Sequence, residues 1–172
     1  GGSDLPNLKE DFVLIIGSED STFPIGDKEC RKMYMTPENR KRYHILKENR
    51  YLKCCFVENL DRVGNTGLHP LPTGILPYKE KIFPLKKGSF KNRSLKAVCI
   101  HKGRQGPQWK DCHKVTGKCK NEWKGFIDYK ETCRKPEFLN LLKKYSFCVC
   151  VHGGGIDPSP KAWEALAMGC IP

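Results

Sequence analysis

The chain has 172 residues, of which 38% are hydrophobic, enough for a buried core in one ordinary domain or two small ones. This content argues against intrinsic disorder. Thirty-one Lys and Arg against nineteen Asp and Glu give a net charge of +12, which favours an anionic partner such as a phosphate ester, a nucleic acid or a membrane surface. A basic surface that merely keeps the protein in solution is the alternative.

Nucleic-acid-binding and membrane-spanning classes have little further support. The basic residues are spread along the chain, without an RNP, KH or zinc-finger pattern, so we expect no nucleic acid partner. The sequence has no run of about 18 apolar residues, so we expect no membrane span. The first residues lack the charged-then-apolar pattern of a signal peptide, which predicts a soluble, cytoplasmic protein.

The ten cysteines suggest core packing more than metal binding. Four of them lie in apolar runs, where a thiol behaves as a small hydrophobic side chain: Cys99, Cys148, Cys150 and Cys170. The group Cys112-His113, Cys119 and Cys133 superficially suggests zinc, but the chain contains no CxxC pair, so we expect no metal. Disulfides are possible with an even count, but reduced thiols fit a chain with its own core.

In the first half, residues 11–17 (DFVLIIG) form a short run rich in β-branched residues, which is typical of a buried parallel strand. Residues 36–50 open with Thr and Pro in the order of a helix N-cap and first turn, and predict a polar surface helix. Residues 51–59 predict a second buried strand. Residues 60–87 are dense in Gly and Pro, which predicts loops and connections.

The second half repeats this rhythm after a domain boundary that we place near residue 90, giving domains 1–90 and 91–172. Strands are predicted at 95–101, 124–129, 146–155 and from 170 onward, and helices at 136–145 and 158–169. Residues 104–123 are basic and show no clear period. Alternating strands and helices indicate an α/β fold with parallel sheets and crossover helices.

We expect the chemistry at the junction formed by residues 149–169 (VCVHGGGIDPSPKAWEALAMG), because open α/β sheets bind ligands where a strand passes into a helix. Gly153–Gly155 allow close backbone approach or a positive φ. Ser159 and Pro160 fit the N-cap and first position of the following helix. The free N–H groups of that turn attract phosphate, and Lys161 is poorly placed for the helix dipole unless an anion lies beside it.

Glu164 lies one turn after Lys161 on the same side of the predicted helix, where its carboxylate is a bidentate acceptor for ribose hydroxyls. A Lys-Glu surface pair explains the same spacing. The glycine run matches neither GxGxxG nor a P-loop, so dehydrogenase and ATPase functions lose their main support.

The segment GGGIDPSPKAWEALAMGCIP, residues 153–172, resembles the donor-site motif of GT-B glycosyltransferases, most closely the exostosin-like family and its relatives in large algal viruses. FVLIIGSEDSTFP, CCFVENLDRVGNTGLHPLPTGILP and KGFIDYKETCRKPEFLNLLKKYSFCVCV are similar to further elements of that family. The resemblance covers most of residues 11–172 but not 104–123. It implies two Rossmann-like halves with parallel sheets and a cleft, and a natural protein longer at both ends.

The resemblance also implies functional residues. Those around the nucleotide-sugar donor are His101, Arg104, Gly153, Gly154, Gly155, Asp157, Ser159, Lys161 and Glu164, with Glu164 on the ribose. Asp20, or else Glu19, is the implied general base, although both acids also fit a turn, and His44 is a further candidate. Ser18 and Asn59 are expected on the acceptor side, and Asn59 fits a backbone-bonding role equally well.

The expected activity is therefore sugar transfer from a nucleotide-sugar, UDP-linked and with UDP-xylose as our choice, to a hydroxyl of an oligosaccharide or glycoprotein glycan. The resemblance implies an inverting, metal-independent transferase without cofactors, acting in the host cytoplasm if the protein is viral. The chain has no DxD pair. The alternative is a non-catalytic basic module that binds a polyanionic glycan or nucleic acid with strong salt dependence.

Overall fold

The computed structural model describes residues 5–17, 20–24, 36–61, 67–75 and 88–172. Within these ranges, six strands and four α-helices follow one another, and all strand pairs are parallel. The strands form two separate sheets. The fold is therefore mixed α/β with parallel sheets, as the alternating pattern predicts. None of the helices in these ranges has both the length and the apolar character needed to cross a bilayer.

The chain divides into two compact units, Gly1–Thr73 with Gly154–Asp157, and Gly74–Gly153 with Pro158–Pro172. In the first unit, the described elements are β1 (Phe12–Ile16), α1 (Pro37–Glu48), β2 (Leu52–Val57) and β3 (Leu68–Pro70). The sheet order is β1-β2-β3, so β2 is the central strand. Its core contains Cys55, Val57 and Leu60.

The start of α1 confirms the predicted cap. The Thr36 side chain accepts a hydrogen bond from the Asn39 backbone N–H at 3.2 Å, and Pro37 is the first helical residue. The cap satisfies one of the N–H groups that a helix start leaves unpaired. A buried Leu46 holds the otherwise largely exposed helix against the unit.

Two predictions in this unit were wrong. β1 was expected to be buried on both faces, but Val13 is 53% and Ile15 is 67% exposed. Only Leu14 and Ile16 pack on the core, because alternate side chains of a strand point to opposite faces. The region 60–87 was expected to be loop, but β3 pairs with β2 through Leu68–Pro70. Pro70 is tolerated at the last position of a strand at the sheet edge.

In the second unit, β4 (Ser94–Ile100) lies between β5 (Ile127–Lys130) and β6 (Tyr145–Val149). The register places Val98 opposite Asp128 and Cys148. Ile171 forms a parallel bridge with Phe147. This pairing agrees with the prediction that a further strand begins at residue 170.

Helices cover both faces of this sheet. α3 (Lys135–Lys144) and α4 (Pro160–Ala167) pack on the face that carries Val98 and Ile100. α2 (Lys110–Asn121) packs on the opposite face through Cys119, which joins Cys99 and Ile127. Of the four cysteines predicted to be core, Cys99, Cys148 and Cys170 are buried and Cys150 is partly buried.

The helix α2 corrects the expectation that residues 104–123 have no period. Cys112, Thr116 and Cys119 are its buried residues, and Val115 packs beside them. These positions follow the helical spacing i, i+3, i+4, i+7. The pattern was missed because two of its members are cysteines and one is threonine, which count weakly as apolar residues, and lysines separate them.

A buried arginine joins the ends of the helices in the second unit. Arg93 is 7% exposed, and its guanidinium donates to the carbonyl oxygens of Gly88, Leu142, Tyr145 and Met168 at 2.7–3.1 Å. Leu142 belongs to the last turn of α3, and Met168 directly follows α4. Carbonyl groups at helix ends lack partners within the helix, so one side chain satisfies both ends.

Candidate functional site

The site is built at the carboxyl edge of the second unit's sheet. Parallel strands end at the same edge, where ligands bind in open α/β sheets. His101 follows β4 directly, and the glycine run follows β6 and leads into α4.

Lys161, in the first turn of α4, lies at the end of β4. Its ammonium nitrogen donates to the carbonyl oxygen of Ile100 at 2.5 Å and lies 3.5 Å from Nδ1 of His101. Burial lowers the pKa of Lys161. The structure thus brings together two of the residues expected to contact the donor diphosphate.

His101 is fixed by its main chain. Its N–H donates to the Lys130 carbonyl at 3.3 Å, and its carbonyl accepts from the Tyr129 hydroxyl at 3.0 Å. The residue is 8% exposed, and its Nε2 has no hydrogen-bond partner among the described residues. Burial, followed by the neighbouring Lys161 and Arg104, lowers the pKa of His101 to about 4. The ring is therefore neutral at physiological pH.

Ser159 occupies the predicted N-cap position of α4, with Pro160 as the first helical residue. Its carbonyl accepts from the Ala162 N–H at 2.9 Å, but its side chain does not cap the helix. The Ser159 hydroxyl is buried without a partner among the described residues. A buried hydroxyl in that state costs free energy unless something accepts from it or donates to it.

Glu164 is 1% exposed, so the alternative of a surface pair with Lys161 was wrong. Helical spacing places Glu164 near Lys161 but does not show that α3 packs over this part of α4. Both carboxylate oxygens accept hydrogen bonds from the Lys135 ammonium, each at 2.9 Å. Burial raises the pKa of Glu164 to about 7, while the Lys135 charge opposes that rise by favouring the carboxylate.

The loop after His101 carries Arg104. Its guanidinium lies 5.0 Å from the centre of the Trp109 ring, and its carbonyl accepts from the His113 imidazole at 2.6 Å. Trp109 is buried, and its ring centre lies 6.2 Å from that of His101. The segment 104–123, which the family resemblance does not cover, therefore positions a cation beside the site.

The same helix contacts the start of the glycine run. Cys112 Sγ lies 3.5 Å from Nε2 of His152 and 3.3 Å from its carbonyl oxygen. Nδ1 of His152 lies 2.8 Å from the Gly153 carbonyl, which only accepts, so Nδ1 carries the proton. Burial raises the pKa of Cys112. This thiol is therefore protonated and structural.

The rest of the glycine run belongs to the first unit, where Asn59 and Asp157 bond reciprocally. The Asn59 N–H donates to the Asp157 carboxylate at 2.6 Å, and the Asp157 N–H donates to Asn59 Oδ1 at 3.0 Å. Asn59 has a φ of 54°, a conformation that Asn tolerates better than most residues. Of its two predicted roles, the structure shows backbone bonding.

Close contacts with neighbouring side chains explain the glycines at residues 154 and 155. A Cβ on Gly154 would lie 2.2 Å from Oδ2 of Asp20, and a Cβ on Gly155 would lie 2.0 Å from Oδ1 of Asn59. A Cβ on Gly153 would meet no described residue within 4 Å. None of these three glycines has a positive φ, so space rather than dihedral freedom requires glycine at residues 154 and 155.

The acceptor-side residues are only partly described. Ser18 and Glu19 lie outside the described residues, and Asp20 is exposed beside Gly154. His44 is exposed on α1, with its ring centre 5.6 Å from that of Tyr43. A cavity of about 260 Å³ in the first unit is lined by Tyr43, Lys47 and the first residues of β2. It lies away from that strand's carboxyl end, so we do not place the site there.

Sequence reasoning missed several residues of this edge: Tyr129, Trp109, Cys112, His152 and Lys135. A signal existed for Lys135, because it lies in the first turn of a helix that follows a parallel strand, as Lys161 does. The first turns of two such helices lie at the same sheet edge.

Comparison with known protein families finds no family model that matches this chain, and a search of curated proteins finds no significant match. Among the described residues, no three His, Cys, Asp or Glu side chains are grouped as a metal site would require.

Proposed function

We propose that this chain is the nucleotide-sugar-binding part of a GT-B-type glycosyltransferase that transfers a sugar from a UDP-sugar to a glycan hydroxyl. One observation carries the proposal. The first turn of α4 places Lys161 at the end of β4, and the buried carboxylate of Glu164 follows one turn later. A cation for a diphosphate and an acceptor for ribose hydroxyls thus stand on one helix behind a glycine run.

The cations of this edge fit a departing nucleoside diphosphate. The N–H groups of the α4 start, the Lys161 ammonium and the exposed Arg104 guanidinium all favour negative charge. Such preorganised charge stabilises the leaving group without a metal ion.

Glu164 fits the ribose because an ionised carboxylate accepts from two neighbouring hydroxyls. In this structure, Lys135 holds both of its oxygens. A bound ribose therefore shares the Glu164 carboxylate with Lys135 or displaces the Lys135 ammonium from it. In either case Lys161 and Arg104 remain available to the phosphates.

In the proposed inverting reaction, the acceptor hydroxyl oxygen bonds to the anomeric carbon as the bond from that carbon to the diphosphate breaks. The hydroxyl proton passes to a carboxylate base, for which Asp20 is our first choice and Glu19 the second. UDP leaves with the electron pair. We propose UDP-xylose as the donor, with the first unit on the acceptor side.

Calorimetric titration with UDP, GDP and a short polyanion, at low and moderate salt and with EDTA present, tests this proposal. Saturable binding of UDP over GDP that survives EDTA supports a metal-independent UDP-sugar transferase, and a panel of UDP-sugars then identifies the donor. Polyanion binding that weakens steeply with salt, without nucleotide preference, would refute it.

A matched pair of variants ties the result to the site. Lys161→Met should weaken UDP binding by at least about tenfold, the value of one charge-assisted hydrogen bond. Lys120→Met removes the same charge from an exposed position of α2 and should leave UDP binding unchanged. Equal losses in both variants would indicate non-specific attraction.

A specific observation favours the rival function of polyanion binding. The exposed side of α2 carries Lys110, Lys114, Lys118 and Lys120. Replacing Lys114 and Lys118 with Gln should reduce polyanion binding strongly if this helix is the binding surface, and should leave UDP binding intact if the transferase proposal holds.

A further inference from the structure

The Nε2 atom of His101 is a buried polar atom without a partner among the described residues. Buried polar groups in folded proteins are nearly always hydrogen-bonded, so an unpartnered one beside other candidate site residues is a candidate ligand contact. The main chain of His101 is already bonded on both sides. Among the polar atoms of His101, the unpartnered one is therefore the ring atom Nε2.

The neighbouring lysine favours one tautomer of this ring. Nδ1 of His101 lies 3.5 Å from the Lys161 ammonium nitrogen. An ammonium group only donates, so Nδ1 acts as the acceptor and carries no proton. The single proton of the neutral imidazole is then on Nε2, and the unpartnered atom is a hydrogen-bond donor.

We infer that the Nε2–H of a neutral His101 donates to an oxyanion oxygen, and that this oxygen belongs to a diphosphate bound between His101 and the start of α4. A second buried group supports the position of the ligand. The Ser159 hydroxyl, at the N-cap of α4, is 7% exposed and has no partner among the described residues. Ser159 lies at the helix start that favours an anion, and His101 lies beside the ammonium group of Lys161 from the first turn of the same helix.

Burial first, and then the positive groups around His101, lower its pKa and keep the ring neutral. Lys161 approaches from α4, Arg104 from the loop after β4, His113 from α2 and His152 from the segment after β6. A second proton on His101 would add positive charge beside Lys161 and Arg104. The imidazole therefore acts as an uncharged donor across the neutral pH range, and diphosphate binding requires no proton uptake at this residue.

The exposed Arg104 side chain gives a ligand access. Nε2 itself is fully covered, so an oxygen reaches it only when a neighbouring side chain moves. Arg104 is exposed and adjacent to the Trp109 ring that faces His101. We expect its guanidinium to move with the bound diphosphate.

Nitrogen-15 NMR of the histidine rings in the full chain tests the inference, with inorganic pyrophosphate as the probe. The signals absent from His101→Gln identify the residue. We expect an Nε2-protonated ring that does not titrate between pH 6 and 8, and an Nε2 signal that shifts on adding pyrophosphate. An Nδ1-protonated ring, titration near pH 6.5, or an unmoved signal at saturating pyrophosphate would overturn it.

Two variants give an independent measurement by calorimetry. The amide nitrogen of Gln reaches the position of Nε2, whereas that of Asn reaches only the position of Nδ1. His101→Gln should keep pyrophosphate affinity within about threefold, and His101→Asn should lose at least about tenfold, because only the first retains the donor. Equal affinities in the two variants would contradict the assignment, and circular dichroism checks that both remain folded.

The inference rests on the proposed function for the identity of the diphosphate, and the two can fail separately. Pyrophosphate binding with a His101 shift, but without UDP binding, would retain the oxyanion site and refute the nucleotide-sugar proposal. UDP binding without any change in the His101 signal would retain the nucleotide-sugar proposal and refute the role of His101 as a donor to the diphosphate.

Discussion

The ammonium nitrogen of Lys135 lies 2.9 Å from both carboxylate oxygens of Glu164, although the two residues are 29 positions apart. Lys135 begins α3, and Glu164 lies in the second turn of α4. The pair therefore ties together two helices on one face of the sheet, and it holds the carboxylate that we propose for the ribose.

Glu164 should make the stability of the second unit depend on pH. Burial raises its pKa from 4.5 to about 7, so the folded state binds the proton more tightly than the unfolded state. This contribution to the free energy of unfolding is complete below about pH 4.5, falls as the pH rises and is lost above about pH 7, by up to about 3 kcal/mol. Urea unfolding of the parent and of Glu164→Gln across this range should show the fall only in the parent.

Lys135→Met should move the pH-dependent fall in the free energy of unfolding to higher pH. Without the ammonium group, the buried carboxylate is harder to ionise, so the pKa of Glu164 rises further. Lys135→Arg keeps the charge and serves as the control. The same urea measurements apply, and pH profiles that coincide for the Met and Arg variants would show that Lys135 does not govern Glu164.

Arg93→Met should destabilise the second unit by about 3 kcal/mol, because it leaves four carbonyl groups without their shared charged donor. Lys91→Met removes a positive charge from an exposed position two residues earlier and should change the free energy of unfolding by less than about 0.5 kcal/mol. Denaturant unfolding of the two variants gives the comparison, and similar midpoints would contradict this role for Arg93.

Gly155→Ala should disturb the first unit more than Gly153→Ala. The new methyl group at residue 155 collides with Asn59, which is buried and bonded to Asp157. We expect a loss of about 1–3 kcal/mol, whereas the methyl group at residue 153 meets open space. Thermal unfolding measures both, and an equally stable Gly155→Ala variant would show that this segment shifts freely.

Cys54 and Cys55 should differ in reactivity although they are adjacent. Cys55 is fully buried and burial raises its pKa to about 11, whereas Cys54 is partly exposed on the other face of β2. Since the thiolate is the reactive form, iodoacetamide at pH 8 should modify Cys54 at least about tenfold faster. Mass spectrometry of timed samples measures the rates. In urea the two should react alike, and equal rates in the folded protein would contradict the burial of Cys55.

Local signals in the sequence were sufficient for much of the fold. The helix start at Thr36, the N-cap position of Ser159 and the strand before the glycine run are where the sequence places them. Caps and short apolar runs act through residues within one or two turns, so they can be recognised without knowledge of the rest of the chain. The helix α2 had such a signal as well, but cysteine and threonine carried it.

What the sequence alone determined is therefore the order of the elements other than β3 and α2, and the turn that precedes α4. Only the tertiary structure decided that Glu164 is buried and bonded to Lys135 and that Lys161 reaches the end of β4. It also decided that Nε2 of His101 has no partner within the described part of the chain. The physical reason is distance along the chain. Lys161 and Ile100 are 61 positions apart, and only the parallel pairing of β4 with β6 brings their segments to one sheet edge, where burial and charge set the chemistry.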